Sequence, residues 1–190
     1  KEGPMITVWF SDGHGFYCPG KLPSHGGKIY AEQSLSEQGH GIQTISKQGS
    51  LALTIFHWPI TLEGQTAWAM VSRVVALKDC TAKMAFVIRP VDLNGSHPIF
   101  HLSRNGEGEW STDGRVLLTV AKKGRWIIHS KYGETDLWSM FGSRFAGSYT
   151  GTIDVRCNAG QASGAEIYEQ QLKKGEVLSR FAIISPPKNM

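Results

Sequence analysis

From Thr152 to Cys157 the residues alternate: Ile153, Val155 and Cys157 fall on one side of an extended chain, and Thr152, Asp154 and Arg156 on the other. Side chains repeat every two residues along a strand and every 3.6 along a helix, so this pattern specifies a half-buried strand. The same period returns where Ala82, Met84, Phe86 and Ile88 alternate with Lys83, Ala85, Val87 and Arg89. Leu51–Trp58 and Trp68–Leu77 are apolar on both faces, which predicts central strands covered on both sides. Ala67–Leu77 has the length of a buried helix, but its β-branched and aromatic content favours a strand.

The gaps between these runs carry turn chemistry. Asn94-Gly95 and Asp113-Gly114 suit tight hairpins, whose two central residues both need positive φ. Lys122-Lys123-Gly124 and Lys173-Lys174-Gly175 each separate two apolar runs and predict two further hairpins. The 22 glycines are dispersed along the chain, as many turns require. One stretch differs: after Thr135 and Asp136, which can cap a first helical turn, Leu137, Trp138, Phe141 and Phe145 recur at helical spacing. So many strands must stack or close to bury their apolar faces. The expected fold is all-β: a large two-sheet antiparallel sandwich with one short helix over 135–145, forming a single domain over residues 1–190.

Charge and motifs narrow the function. Twenty Lys and Arg against 16 Asp and Glu give a formal +4, but the basic residues form no run or stripe, which argues against a nucleic-acid partner. Lys122-Lys123 reads as a turn tip and not as a phosphate-binding face. No apolar run approaches the length that crosses a bilayer, so no membrane partner is expected. Cys18, Cys80 and Cys157 are odd in number and far apart, with no zinc spacing. Three free thiols in a reducing compartment, and hence the cytoplasm, are the simplest account; one bridge plus one thiol in a secreted protein is the alternative. The start at Lys1, Gly3-Pro4 and the Pro186-Pro187 end read as linkers where a longer polypeptide was cut.

The chain has no GxSxG, GxxxxGK[ST], HExxH or GxGxxG motif. His97 and His101, four apart on a strand, would lie about 13 Å from each other, too far to share one ion unless the chain bends at Pro98. His14, Cys18 and His25 share a Gly- and Pro-rich loop, where solvated histidines are more usual than a metal, so neither metal nor cofactor is expected. Glycoside hydrolysis needs two carboxyl groups flanking the scissile bond. The close acidic group Glu107, Glu109 and Asp113 borders a turn, where charge ordinarily serves solubility, so no catalytic residue is assigned. Of the six tryptophans, Trp110 lies beside polar turns and is the one expected to offer an exposed face to a sugar; Trp68 and Trp126, within apolar runs, are expected in the core.

Three stretches taken in order carry a resemblance. Ser72-Arg73-Val74-Val75-Ala76-Leu77-Lys78-Asp79 leads into Ala85-Phe86-Val87-Ile88-Arg89-Pro90 and then Asn94-Gly95; Trp110-Ser111-Thr112-Asp113-Gly114 follows; Leu172-Lys173-Lys174-Gly175-Glu176 precedes an apolar strand and Pro186-Pro187. This order, covering about two-thirds of the chain, resembles the β-supersandwich domain that precedes the α/α six-hairpin barrel of glucoamylase-like and glycogen-debranching-like glycoside hydrolases. Val91 and Asp92 depart from the aromatic and asparagine expected after Arg-Pro. The resemblance implies a non-catalytic accessory domain whose partners are a C-terminal catalytic barrel in the parent chain and an oligosaccharide. It places Arg89, Asp92 and Asn94, with Trp110, among the interface or carbohydrate-binding residues, and it implies an apolar docking patch of several hundred Å². The alternatives are a free-standing carbohydrate-binding or lectin-like module and a mutarotase-like sugar epimerase.

Overall fold

The computed structural model describes residues 4–14, 16–19, 31–35, 41–90, 97–129 and 152–185. Within them the chain is all-β, with fourteen strands in chain order: β1 Met5–Ser11, β2 Phe16–Tyr17, β3 Ala31–Leu35, β4 Ile42–Gln48, β5 Leu51–Leu62, β6 Gln65–Ala76 and β7 Cys80–Arg89 form the first half. The second half is β8 His101–Arg104, β9 Glu109–Thr112, β10 Arg115–Val120, β11 Arg125–His129, β12 Ile153–Arg156, β13 Ser163–Leu172 and β14 Val177–Ile184. They build two antiparallel sheets, one of five strands in the order β11-β13-β7-β1-β2 and one of nine in the order β12-β8-β9-β10-β14-β6-β5-β4-β3. The two-sheet sandwich read from the alternation is the fold. The helix expected over 135–145, the Asn94-Gly95 turn, Asp92 and Asn94 all lie outside the described residues.

The main core fills the space between the sheets. Val8 and Phe10 of β1, Met84, Phe86 and Ile88 of β7 and Tyr168 of β13 face Leu51 and Leu53 of β5, Val74 of β6 and Leu178 of β14. Trp126 and Cys157, both expected inside, belong to this core. Asp113 and Gly114, both at positive φ, close the β9–β10 hairpin as expected. The register of β10 then slips between Val116 and Leu118, a bulge that lets the consecutive residues Leu117 and Leu118 both be buried. Glu63 and Gly64 close the β5–β6 hairpin with the same backbone signature.

Three expectations need correction. The strand covered on both faces is β7, where Ala85 and Val87 are as buried as Met84 and Phe86, because a second cluster of Trp9, Ile127, Ala165 and Ile167 forms on the outer side of the five-stranded sheet. On β5 and β6 the inner side carries Leu51, Leu53, Met70 and Val74, all buried, whereas on the outer side Ala67 and Ala69 are buried, Phe56, Trp58, Val71 and Val75 are half-buried and Arg73 is exposed. The two Lys-Lys-Gly segments are not hairpin turns. Each carries the chain from one sheet to the other, Lys122–Gly124 from β10 to β11 and Lys173–Gly175 from β13 to β14. A turn dipeptide constrains the local backbone; which strand the chain then joins is decided by tertiary packing.

Candidate functional site

Trp110 points into the core at 0% exposure, so the expected exposed platform is not there. Its indole N–H donates to Glu166 Oε2 at 2.9 Å. Glu166, also at 0% exposure, lies in the apolar run of β13 and is held by four donors: Arg104 Nε at 2.7 Å, Arg104 Nη2 at 2.8 Å, Trp110 Nε1, and the main-chain N–H of Gly124 at 2.5 Å. A buried carboxylate is tolerated when its charge is paired and its lone pairs are filled, and this network meets both conditions. It ties β8 and β9 of the large sheet to β13 of the small one. Through the Gly124 N–H it also fixes the Lys122–Gly124 crossover, at a position only glycine can fill, because a Cβ there would stand 2.3 Å from the carbonyl oxygen of Ile167.

Around that crossover the two sheets leave an open groove of about 710 Å³. Its floor is Tyr168, whose hydroxyl donates to the Lys122 carbonyl at 2.7 Å. Burial first, and then the nearby Glu166 charge, push the Tyr168 phenol far above its ordinary range, only partly countered by Arg180 and Arg104, so it stays protonated as a donor. Arg180 reaches across from β14 and sets its guanidinium 4.6 Å from the Tyr168 ring centroid. Lys83, Lys122, Lys123 and Arg125 complete the basic lining, with Glu169 as the lone carboxylate. Lys83 pairs with Glu169 at 3.6 Å, and Lys123 lies 4.0 Å from Glu107 and donates to the Gly106 carbonyl. Lys122, Arg125 and Arg180 form no ion pair with any described carboxylate. Reading Lys122-Lys123 as a mere turn tip therefore missed a cationic groove assembled from four separate segments.

A second surface is the outer face of the nine-stranded sheet. Strand alternation puts Phe56, Trp58 and Ile60 of β5, Val71 and Val75 of β6, and Phe181 and Ile183 of β14 on this side. All are half-buried, and Trp58 and Phe181 pack with ring centroids 6.3 Å apart. A sheet face that meets only water is ordinarily polar at alternate positions. Trp68, expected in the core, is 39% exposed near the end of the β5–β6 ribbon, where it pairs with Pro59.

The remaining candidates are scattered. Arg89 ends β7 with its guanidinium 5.9 Å from the Trp9 ring centroid, on the outer side of the small sheet and away from Trp110. Glu109 accepts from Asn105 Nδ2 in the β8–β9 turn, and Asp113 Oδ1 accepts the main-chain N–H groups of Phe100 and His101 at the start of β8, so both carboxylates are engaged in structural contacts. His101 Nε2 lies 2.9 Å from Asp154 Oδ1 on the surface formed by β8 and β12. Among the described residues no three His, Cys, Asp or Glu side chains gather as a metal set, and no helix is long and apolar enough to cross a membrane. Compared with known proteins, the chain matches no family model and no curated protein.

Proposed function

We propose that this chain is a non-catalytic accessory β-sandwich domain of a multidomain glycoside hydrolase acting on glucan-type carbohydrate, and that it works by packing against a catalytic helical barrel. The observation that supports this reading is the apolar outer face of the nine-stranded sheet. Phe56, Trp58, Ile60, Val71, Phe181 and Ile183 form one contiguous surface across three adjacent strands, with Val75 on the same face beyond the polar row of Thr54, Arg73 and Ser179. Contiguous apolar patches of this kind mark interaction surfaces, whereas singly exposed apolar residues do not. The assignment to carbohydrate rests on the ordered motifs from Ser72 to Glu176.

The test joins this chain to its proposed partner. The parent gene should continue past Met190 into a region with helical apolar periodicity, and that region, expressed separately, should co-elute with this chain. Trp58→Glu, on the outer face, should abolish co-elution while leaving the β circular-dichroism signal intact. A continuation without helical periodicity, or co-elution unaffected by Trp58→Glu, refutes the packing. Turnover of maltooligosaccharides by the isolated chain that disappears in Glu107→Gln or Glu109→Gln would instead make it an enzyme. A second reading, a free-standing carbohydrate-binding module, draws support from Trp68, whose exposed indole offers a stacking face. On that reading maltooligosaccharides quench tryptophan fluorescence in the native chain and not in Trp68→Ala.

A further inference from the structure

We propose that the groove at the seam of the two sheets is a binding site for a small phosphate-bearing ligand. Charge carries the argument. Five cations, Lys83, Lys122, Lys123, Arg125 and Arg180, line the groove against one carboxylate, Glu169, a local surplus of positive charge. Like charges held together on a low-dielectric wall repel, and the arrangement persists at least cost when an anion completes it. Lys122, Arg125 and Arg180, the three cations without a carboxylate partner among the described residues, are sufficient to neutralise a phosphate group, and the two arginines offer the two-pronged geometry by which Arg grips its oxygens.

A second observation points the same way. Arg180 Nη1 donates to the Ser179 carbonyl at 2.6 Å, but its Nε is buried without an acceptor. A buried donor left unmet is costly, and an oxyanion entering beside the guanidinium would relieve that cost. Stacking on Tyr168 holds the guanidinium in place, and the Glu166–Gly124 bond holds the opposite wall, so the site is formed before a ligand arrives. Its volume of about 710 Å³ falls within the range of small-ligand pockets. The described cations of the groove converge on one concavity and form no stripe along a face, which favours a small ligand over a nucleic-acid backbone.

Calorimetric titration of the full chain with inorganic pyrophosphate, at low and at physiological ionic strength, tests this. Saturable binding to one site that weakens with salt is expected, together with shifts of the Gly124, Arg125 and Tyr168 amide resonances. Lys122→Gln/Arg125→Gln, both surface changes, should weaken binding about tenfold or more, a loss of about 1.4 kcal/mol or more. Lys47→Gln/Lys78→Gln, exposed cations elsewhere, should leave it unchanged. Absence of saturable binding, or equal binding by both double variants, overturns the proposal. A single-stranded oligonucleotide that binds the same residues more tightly than pyrophosphate overturns the small-ligand assignment.

Discussion

Replacing Arg104 with Met keeps the volume of the side chain and removes one half of a buried ion pair. In the native fold both partners are almost fully sequestered, with side-chain exposures of 2% for Arg104 and 0% for Glu166. Removing one partner from such a pair typically costs about 3–5 kcal/mol, because the other charge stays buried without compensation. Glu166 would keep two donors, Trp110 Nε1 and the Gly124 N–H, which places the expected loss at the lower end, about 3 kcal/mol. For a chain of this length 1 kcal/mol moves Tm by about 2–4 °C, so Arg104→Met should melt about 6–12 °C lower. Urea denaturation followed by tryptophan fluorescence gives the free energy directly. The double variant Arg104→Met/Glu166→Leu removes both charges but strands the Trp110 and Gly124 donors. It should therefore be destabilised by roughly 2 kcal/mol less than the sum of the two single changes, the scale of coupling expected for directly paired residues. A loss below about 1 kcal/mol in Arg104→Met, or additivity within about 0.5 kcal/mol in the double variant, would show that the network does not hold the sheets together.

Three further outcomes follow from the packing. His57 is held below its ordinary pKa by burial, so the unfolded chain takes up a proton at a higher pH than the folded one. Its contribution is complete above about pH 6.5, the unfolded value, and is lost as pH falls from there toward the folded value; Tm measured across that window should fall less steeply in His57→Met, and an identical slope refutes the assignment. Gly164→Ala would put a Cβ 2.5 Å from the Trp110 ring and 3.0 Å from Leu102, so the variant should lose about 1–3 kcal/mol in urea titrations, whereas an unchanged midpoint would mean the core yields there. Cys157, 5% exposed in the core, should react with thiol reagents only on the timescale of unfolding, and labelling as fast as that of the half-buried Cys18 would contradict its placement.

The sandwich was legible because period-two alternation is a local property. Ile153, Val155 and Cys157 declare a face without reference to any other strand, and Asp113-Gly114 declares a turn through the φ its two residues must adopt. What alternation cannot state is what lies beyond each face. Ala85 and Val87 looked like the lesser side of β7 and are buried by a second cluster, while Phe56 and Trp58 of β5 and Val71 and Val75 of β6, in runs apolar on both faces, are only half-buried on their outer side. The fate of Trp110 turned on the same missing knowledge. Polar turns flank it, yet a buried indole needs an acceptor for its N–H, and the signal was present elsewhere as Glu166, a lone carboxylate between Ala165 and Ile167 in an apolar run. A carboxylate at such a place implies a buried cation and further donors, and Arg104 sits in the same kind of alternating strand as its partner.

The groove was illegible for a different reason. Lys83, the Lys122–Arg125 segment and Arg180 are separated by long stretches of chain and become neighbours only because the crossover at Gly124 lands beside the β13 strand while β14 passes beneath it in the other sheet. In a sandwich each crossover between sheets brings the ends of non-consecutive strands to one seam, so a binding surface formed there has no linear motif. The Glu166 network turns that topology into a defined geometry. Its carboxylate fixes the Gly124 N–H on one wall, while Arg104 and Trp110 fix the carboxylate from the opposite sheet. Stability and the shape of the groove therefore depend on the same four side-chain and main-chain groups. If the ligand proposed for the groove is correct, Arg104→Met should weaken pyrophosphate binding even though Arg104 does not line the groove, and Arg104→Lys should restore it only in part, since an ammonium cannot reproduce the two-point grip on Glu166.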